Sequence, residues 1–202
     1  APAASKTHKI RARAADSIRM SKAKGTTLVT LVKFLRSQRE RALAALPPSL
    51  HSYLDERIQP SSWYPEADLL SLMRVMVSMT PGSRDAALTQ MGVALAREHL
   101  AGIYGHLKFD AQGDPATMAR RCFALWGSQH DSGALSLEMT APGRALLEIR
   151  DYALPSTEMC GILTGYLGES LRLGGAANLR IVELSCRTAG SDVCNWSAEW
   201  DV

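Results

Sequence analysis

The apolar residues of this chain change their spacing about two-thirds of the way along, and that change restricts the fold more than any motif does. Through residue 128 they recur at helical intervals, as with Leu28, Leu31, Val32 and Leu35 in "TLVTLVKFL" or Leu69, Leu72, Met73 and Met76 further on. From residue 134 they alternate, in "ALSLEMT" and "RALLEIRDY" on either side of Pro142-Gly143, which is the period of a half-buried strand. A chain with helices first and hairpins last predicts an α+β fold: a helical N-terminal half packed on a four-stranded antiparallel sheet.

The spacing predicts helices over residues 27–46, which Pro47 and Pro48 end, and over a shorter stretch at 48–58. A third runs from Pro65 to Met79, with Glu66 and Asp68 in the first turn where the helix dipole favours acids. Further helices are expected at 84–108 and from Pro115 to about Ser128. The C-terminal half then reads strand-strand-helix-strand-strand: a hairpin of 134–140 and 144–152, a helix from Pro155 to Leu173 closed by Gly174-Gly175, and a second hairpin made by "NLRIVELSC" and "CNWSAEW". In the last strand Cys194, Trp196, Ala198 and Trp200 share one face, so cysteine and tryptophan point to the core.

Charge divides the chain differently. Residues 1–24 carry Lys6, Lys9, Arg11, Arg13, Arg19, Lys22 and Lys24 against Asp16 alone, within a total net charge of +3. A basic arm or linker over 1–24 thus precedes a mildly acidic single domain over 25–202. Such an arm can meet nucleic acid or an anionic surface, but no aromatic side chain interleaves its charges to stack on bases. A solvated linker or charged first helix is the simpler reading, and nucleic acid is expected only through this arm. With 46% hydrophobic residues, no membrane-length apolar run, no apolar leader segment and four cysteines, the expectation is a cytoplasmic protein in a reducing compartment.

Two of those cysteines lie in "IVELSCRTAGSDVCNW", residues 181–196, with Glu183 just upstream. A loop of seven residues between Cys186 and Cys194 can bring both thiols together. Cys160, in the preceding helix, and Glu183 could complete a tetrahedral zinc set. On a regular strand Glu183 and Cys186 point to opposite faces, so a shared metal requires a bulge or the strand's end before Cys186. Without it the thiols pack as small hydrophobes or pair as a disulfide.

Other features admit a pocket. Met73, Met76, Met79, Met91 and Met118 give adaptable apolar surface, which suits either a core or a promiscuous ligand site. Trp126 and Tyr166 are the expected aromatic walls of such a pocket. His99 and His106 fall two helical turns apart, where a heme ligand would need an open apolar pocket and a packed or exposed histidine would not. His130 follows Trp126 at a helix C-terminus, which favours a cation. No nucleophile elbow, phosphate loop or paired-histidine metal motif is present, so an enzyme is not expected.

The stretch "CGILTGYLGESLRLGGAANLRIVELSCRTAGSDVC" resembles the C-terminal half of the 4-vinyl reductase domain, a small-molecule-binding module. That resemblance implies a structural zinc held by Cys160, Glu183, Cys186 and Cys194, with Gly165-Tyr166 matching the helix element. From "KGTT" to "SAEW" the chain also resembles a family of paralogous myxobacterial proteins, through "LPPSLHSYL", "SSWYP", "LWGSQHDSGAL" and "CRTAGSDVC". Folds related to this domain carry lipid in vesicle-tethering complexes and resemble heme-based gas sensors. The resemblance therefore implies a sensory or regulatory domain that holds a small hydrophobic molecule between helices and sheet and signals through a homodimer or effector. The alternative is a protein-interaction module without a small-molecule ligand.

Overall fold

A computed structural model describes residues 21–100 and 114–202. The chain enters on a short strand β1 (Lys22–Lys24), which pairs antiparallel with β2 (Trp63–Pro65). The basic arm expected over 1–24 lies outside the described residues up to Met20, while Lys22–Lys24 is built into the fold. Helices α1 (Gly25–Ser37), α2 (Arg39–Ala45), α3 (Ser52–Asp55), α4 (Glu66–Met79) and α5 (Arg84–Glu98) follow the order that the apolar spacing predicts. Then come α6 (Pro115–Ala124), α7 (Trp126–Gln129), strands β3 (Ala134–Ala141) and β4 (Arg144–Arg150), helix α8 (Thr157–Leu173), β5 (Ala177–Ser185) and β6 (Cys194–Asp201). Among the described residues no helix is long and apolar enough to cross a membrane.

The expected helix at 27–46 divides at Gln38, whose φ of −125° and ψ of 43° leave the helical region. There Gln38 N–H bonds back to Leu35 O in a tighter turn, and the Ser37 hydroxyl takes the Phe34 carbonyl that the next turn would have used. The expected helix at 48–58 is a 3₁₀ turn, Pro48–Leu50, followed by the single turn of α3. Pro65 is the last residue of β2 rather than the first of the helix. Its extended ψ of 131° makes it the residue that enters α4, and helical geometry begins at Glu66.

The four-stranded sheet runs β3-β4-β6-β5, antiparallel throughout. It is the α+β architecture that the change of period predicts, with each hairpin contributing neighbours and β4 joined to β6 at the centre. Leu147, Ile149, Cys194, Trp196 and Ala198 are buried on the face that α8 covers. The opposite face carries Ser136, Glu138, Glu148, Ser197 and Glu199. The sheet is thus one-sided, as period-two patterning requires.

Helices α5 and α8 approach so closely that side chains are excluded at the crossing. A Cβ on Gly92 would stand 2.0 Å from Ile162 O, and one on Gly165 would stand 2.0 Å from Thr89 O. The two glycines are reciprocal, each lying against the other helix's backbone. Gly165→Ala must therefore push the helices apart, at a cost of about 1–3 kcal/mol from overpacking. Because one separation relieves both clashes, chemical denaturation of Gly92→Ala/Gly165→Ala is expected to show less than the sum of the single losses.

Candidate functional site

The crossing of α5 and α8 sets one wall of a cavity between the helical half and the first hairpin. Leu95 and His99 come from the α5 side, Ile162 and Tyr166 from α8, Leu69 and Met73 from α4. Cys122, Leu125, Trp126, Gln129 and His130 close it from the α6–α7 segment. Its volume is about 70 Å³, and its walls are predominantly apolar. Trp126 and Tyr166, the aromatic residues expected at a pocket, both stand on its lining. Met73 and Met159 also line it, whereas Met76, Met79 and Met118 belong to the surrounding core.

One end of the cavity is closed by His130 and its neighbours. The ring of His130 stacks on Trp126 with centroids 3.9 Å apart and planes 15° from parallel. Trp126 itself is held by a 2.8 Å bond from its Nε1 to Ser132 O, and Tyr152 meets both rings edge-on. Behind the imidazole lies Glu66, 1% exposed, whose Oε1 is 2.5 Å from His130 Nδ1. Burial, and then the neighbouring Glu66 carboxylate, push the Tyr152 phenol far above its ordinary range, so it stays protonated. Across the cavity His99 packs edge-on to Tyr166, with centroids 5.8 Å apart. Burial lowers the His99 pKa, opposed by the Glu98 carboxylate, and so favours the neutral ring. His106 lies outside the described residues.

His99 and His130 were legible in the sequence as isolated histidines, and Glu66 as an acid in a helix's first turn. The pairing of Glu66 with His130 was not, because 64 residues separate them. The one signal available was a carboxylate in the first turn of a helix rich in leucine and methionine.

A second constellation lies at the neck of the last hairpin. Cys160 Sγ is 3.5 Å from Cys186 Sγ, which is 3.9 Å from Cys194 Sγ. The three sulfurs lie within 4.8 Å of one another, a spacing able to hold a metal ion. The geometry that the shared-metal reading requires is present: the β5–β6 register shifts between Glu183 and Ser185, and β5 ends before Cys186. Cys186 therefore turns inward while Val182 and Leu184 stay exposed. Glu183 is not part of the three-residue group. Burial raises the Cys160 thiol far above its ordinary pKa, and the Cys194 and Glu183 charges add to this. Burial also raises Cys194, against a 3.3 Å hydrogen bond that Arg187 N–H donates to its sulfur. All four cysteines are free, and Cys122 stands apart beside the cavity, its thiol pushed up to about 11 by burial.

No protein-family profile matches the chain, and no curated protein matches it. Solved structures do. An H-NOX protein from S. oneidensis in the Fe(II) ligation state superposes with a TM-score of 0.66 at 16% identity, covering 89% of this chain and 96% of that one. An H-NOX protein from the same organism in the Fe(II)NO ligation state gives 0.61 at 13% identity, covering 89% and 99%. The Fe(II) unliganded H-NOX protein from K. algicida gives 0.63 at 10% identity, covering 89% and 97%. These likenesses establish a shared fold over nearly the whole chain.

They also correct the resemblance to the 4-vinyl reductase domain and to the myxobacterial family. The structural likeness is to H-NOX proteins. The motif behind the first resemblance covers one helix and one hairpin, and thiols converging where a hairpin neck meets a helix are a local packing solution that several folds can reach.

Proposed function

We propose that this chain is a small-molecule-binding sensory domain and not an enzyme, with its ligand seated in the cavity between α4, α5, α8 and the α6–α7 segment. The observation that carries this reading is an apolar cavity with only a few polar groups on its lining, Thr27, His99, Gln129 and His130, the usual composition of a ligand site. It lies within a fold shared with proteins solved in Fe(II) and Fe(II)NO ligation states. A ligand acts by favouring one packing of helices against the sheet, which a partner reads.

Heme does not fit these residues. His99 and His130 supply the imidazole chemistry an iron would need, but the space does not follow: the cavity is about 70 Å³, against roughly 300–1,000 Å³ for sites of larger organic ligands. Trp126 and His130, stacked 3.9 Å apart, occupy part of the volume a macrocycle would require. A neutral molecule of a few heavy atoms matches the space directly, since a cavity of roughly 150 Å³ already accepts benzene.

The test is a titration followed through the methyl resonances of Met73 and Met159. Cyclopropane is expected to give saturable shifts at both methyls, and hemin to give no saturable ligated-heme absorption. Absence of any saturable shift with small probes would refute the reading, and stoichiometric heme ligation would replace it.

The finer part of the proposal is a structural zinc at Cys160, Cys186 and Cys194, with Glu183, which lies opposite Trp196 on the face that α8 covers, as the fourth ligand. Metal binding would displace the protons that burial favours on the Cys160 and Cys194 thiols. Protein purified without chelator is expected to carry one zinc per chain, and Cys160→Ser/Cys194→Ser none. No zinc in the parent protein would leave the thiols as packing.

A second reading, a protein-interaction module working as a homodimer, is favoured by one observation. Val182 and Leu184 are 38% and 58% exposed on β5, an edge strand. Sedimentation of the parent and of Leu184→Lys decides it: a dimer lost on substitution supports an edge-to-edge interface, and a monomer in both excludes one.

A further inference from the structure

We propose that the thiols of Cys160, Cys186 and Cys194 form a binding site for a trivalent thiophilic ion, with arsenite as its soluble form, held by the three sulfurs alone. The proposal shares these cysteines with the zinc reading and does not depend on it. The three sulfurs lie within 4.8 Å of one another, with Cys186 3.5 Å from Cys160 and 3.9 Å from Cys194. They come from separate segments: Cys160 from the first turn of α8, Cys186 from just beyond β5, and Cys194 from the first residue of β6. All three are free thiols. Cys160 and Cys194 are 3% and 2% exposed, and the half-buried Cys186 is the member that solvent reaches.

Charge and coordination number together select the ion. A divalent ion such as zinc takes four ligands, so it needs Glu183 as well, and three thiolates with a carboxylate then leave two surplus negative charges. Surplus charge is costly away from water. Arg187 touches the cluster through a 3.3 Å hydrogen bond from its backbone N–H to Cys194 Sγ, but its guanidinium is turned to the Tyr152 carbonyl at 2.6 Å. A soft monovalent ion such as Cu(I) on three thiolates would leave the same surplus. A trivalent centre that keeps a lone pair takes three soft donors and no fourth. Bound to three sulfurs it is neutral, and Glu183 has no part in it.

Arsenous acid, the form of arsenite at neutral pH, is small and uncharged, so it reaches a largely buried site without shedding an ionic hydration shell. Each thiol replaces one hydroxyl. An As–O bond breaks, an As–S bond forms, and the sulfur's proton leaves with the hydroxyl as water. Three such steps release three waters and join three sulfurs to one arsenic. The arsenic stays trivalent, so no oxidant or reductant takes part. The product ties α8 to both ends of the last hairpin's loop.

The test is mass spectrometry of the full chain under non-denaturing conditions, reduced with a phosphine and titrated with sodium arsenite. The parent is expected to gain one arsenic less three hydrogens. An adduct that loses two hydrogens and keeps one hydroxyl, or no adduct at all, would overturn the proposal. Cys186→Ala removes one sulfur and is expected to weaken arsenite binding on the order of a hundredfold, as when one arm of a multivalent attachment is lost. A three-hydrogen adduct that persists in that variant would place the site elsewhere. Glu183→Gln separates this proposal from the zinc reading, because it is expected to weaken zinc retention and leave arsenite affinity at the parent's value. A fall in arsenite affinity there would overturn the three-sulfur site. Parent protein that carries no zinc yet forms the three-hydrogen adduct would support this site and remove the zinc reading alone.

Discussion

Trp196→Ala is expected to destabilise the protein by about 3–5 kcal/mol, the range for deleting a fully buried tryptophan from a core. Trp196 has no exposed surface and sits on β6 between Leu147 of β4 and Glu183 of β5 in the sheet register. Its indole Nε1 donates a 2.8 Å hydrogen bond to Thr164 Oγ1 on α8. The side chain thus joins the sheet to the helix that covers it, and alanine would leave a cavity at the junction and take from the Thr164 hydroxyl the donor it accepts from, leaving only its own bond to Cys160 O. Trp63→Ala provides the contrast. Trp63 is 41% exposed and its recorded interaction is with the Lys24 ammonium over its ring at 4.5 Å. Its loss is expected to cost about 1 kcal/mol or less. Urea denaturation of the two variants separates a structural tryptophan from a surface one, and equal losses would contradict the placement of Trp196.

The second large effect is at the buried Glu66–His130 pair. His130→Phe alone leaves the Glu66 carboxylate in the core without its partner, and removing one member of such a pair costs about 3–5 kcal/mol. Glu66→Leu/His130→Phe removes both members, and most of that loss is expected to return because apolar replacement of a whole buried pair is often neutral. The measurement is a double-mutant cycle by chemical denaturation. A double variant as unstable as the sum of the singles would mean that the two side chains do not act on each other, against the 2.5 Å contact between them.

How much of this was legible in the sequence follows the range of the interactions concerned. The fold class was, because period-3.6 and period-2 spacing are local properties that tertiary packing preserved in α4, α5, β3, β4 and β6. The inward face of β6 was legible for the same reason, as Cys194, Trp196 and Ala198 alternate with Asn195 and Ser197. Helix ends were less so. The break at Gln38 depends on a serine hydroxyl competing for one carbonyl, which has no signature distinct from any other serine in a helix.

In the candidate site, the thiol cluster was visible as spacing, and the condition it needed, a bulge beyond Glu183, was stated without being observable. The structure supplies that bulge. Glu66 was beyond reach, since a carboxylate after a proline is ordinarily a solvated helix start, and only the distant His130 makes its burial intelligible. The reciprocal glycines at the α5–α8 crossing were likewise hidden, because Gly92 and Gly165 carry no local turn signal and matter only through each other's backbone.

The central claim is that the cavity accepts a small ligand. The most direct measurement is a crystal structure of the protein under xenon pressure, because xenon enters dry apolar cavities without needing a polar partner. The account predicts a xenon atom bounded by Leu69, Met73, Leu95, Met159 and Leu163, with Trp126 and His130 still stacked at one end. Xenon absent from that volume while the crystal is otherwise intact, or a cavity closed by its own side chains, would contradict it.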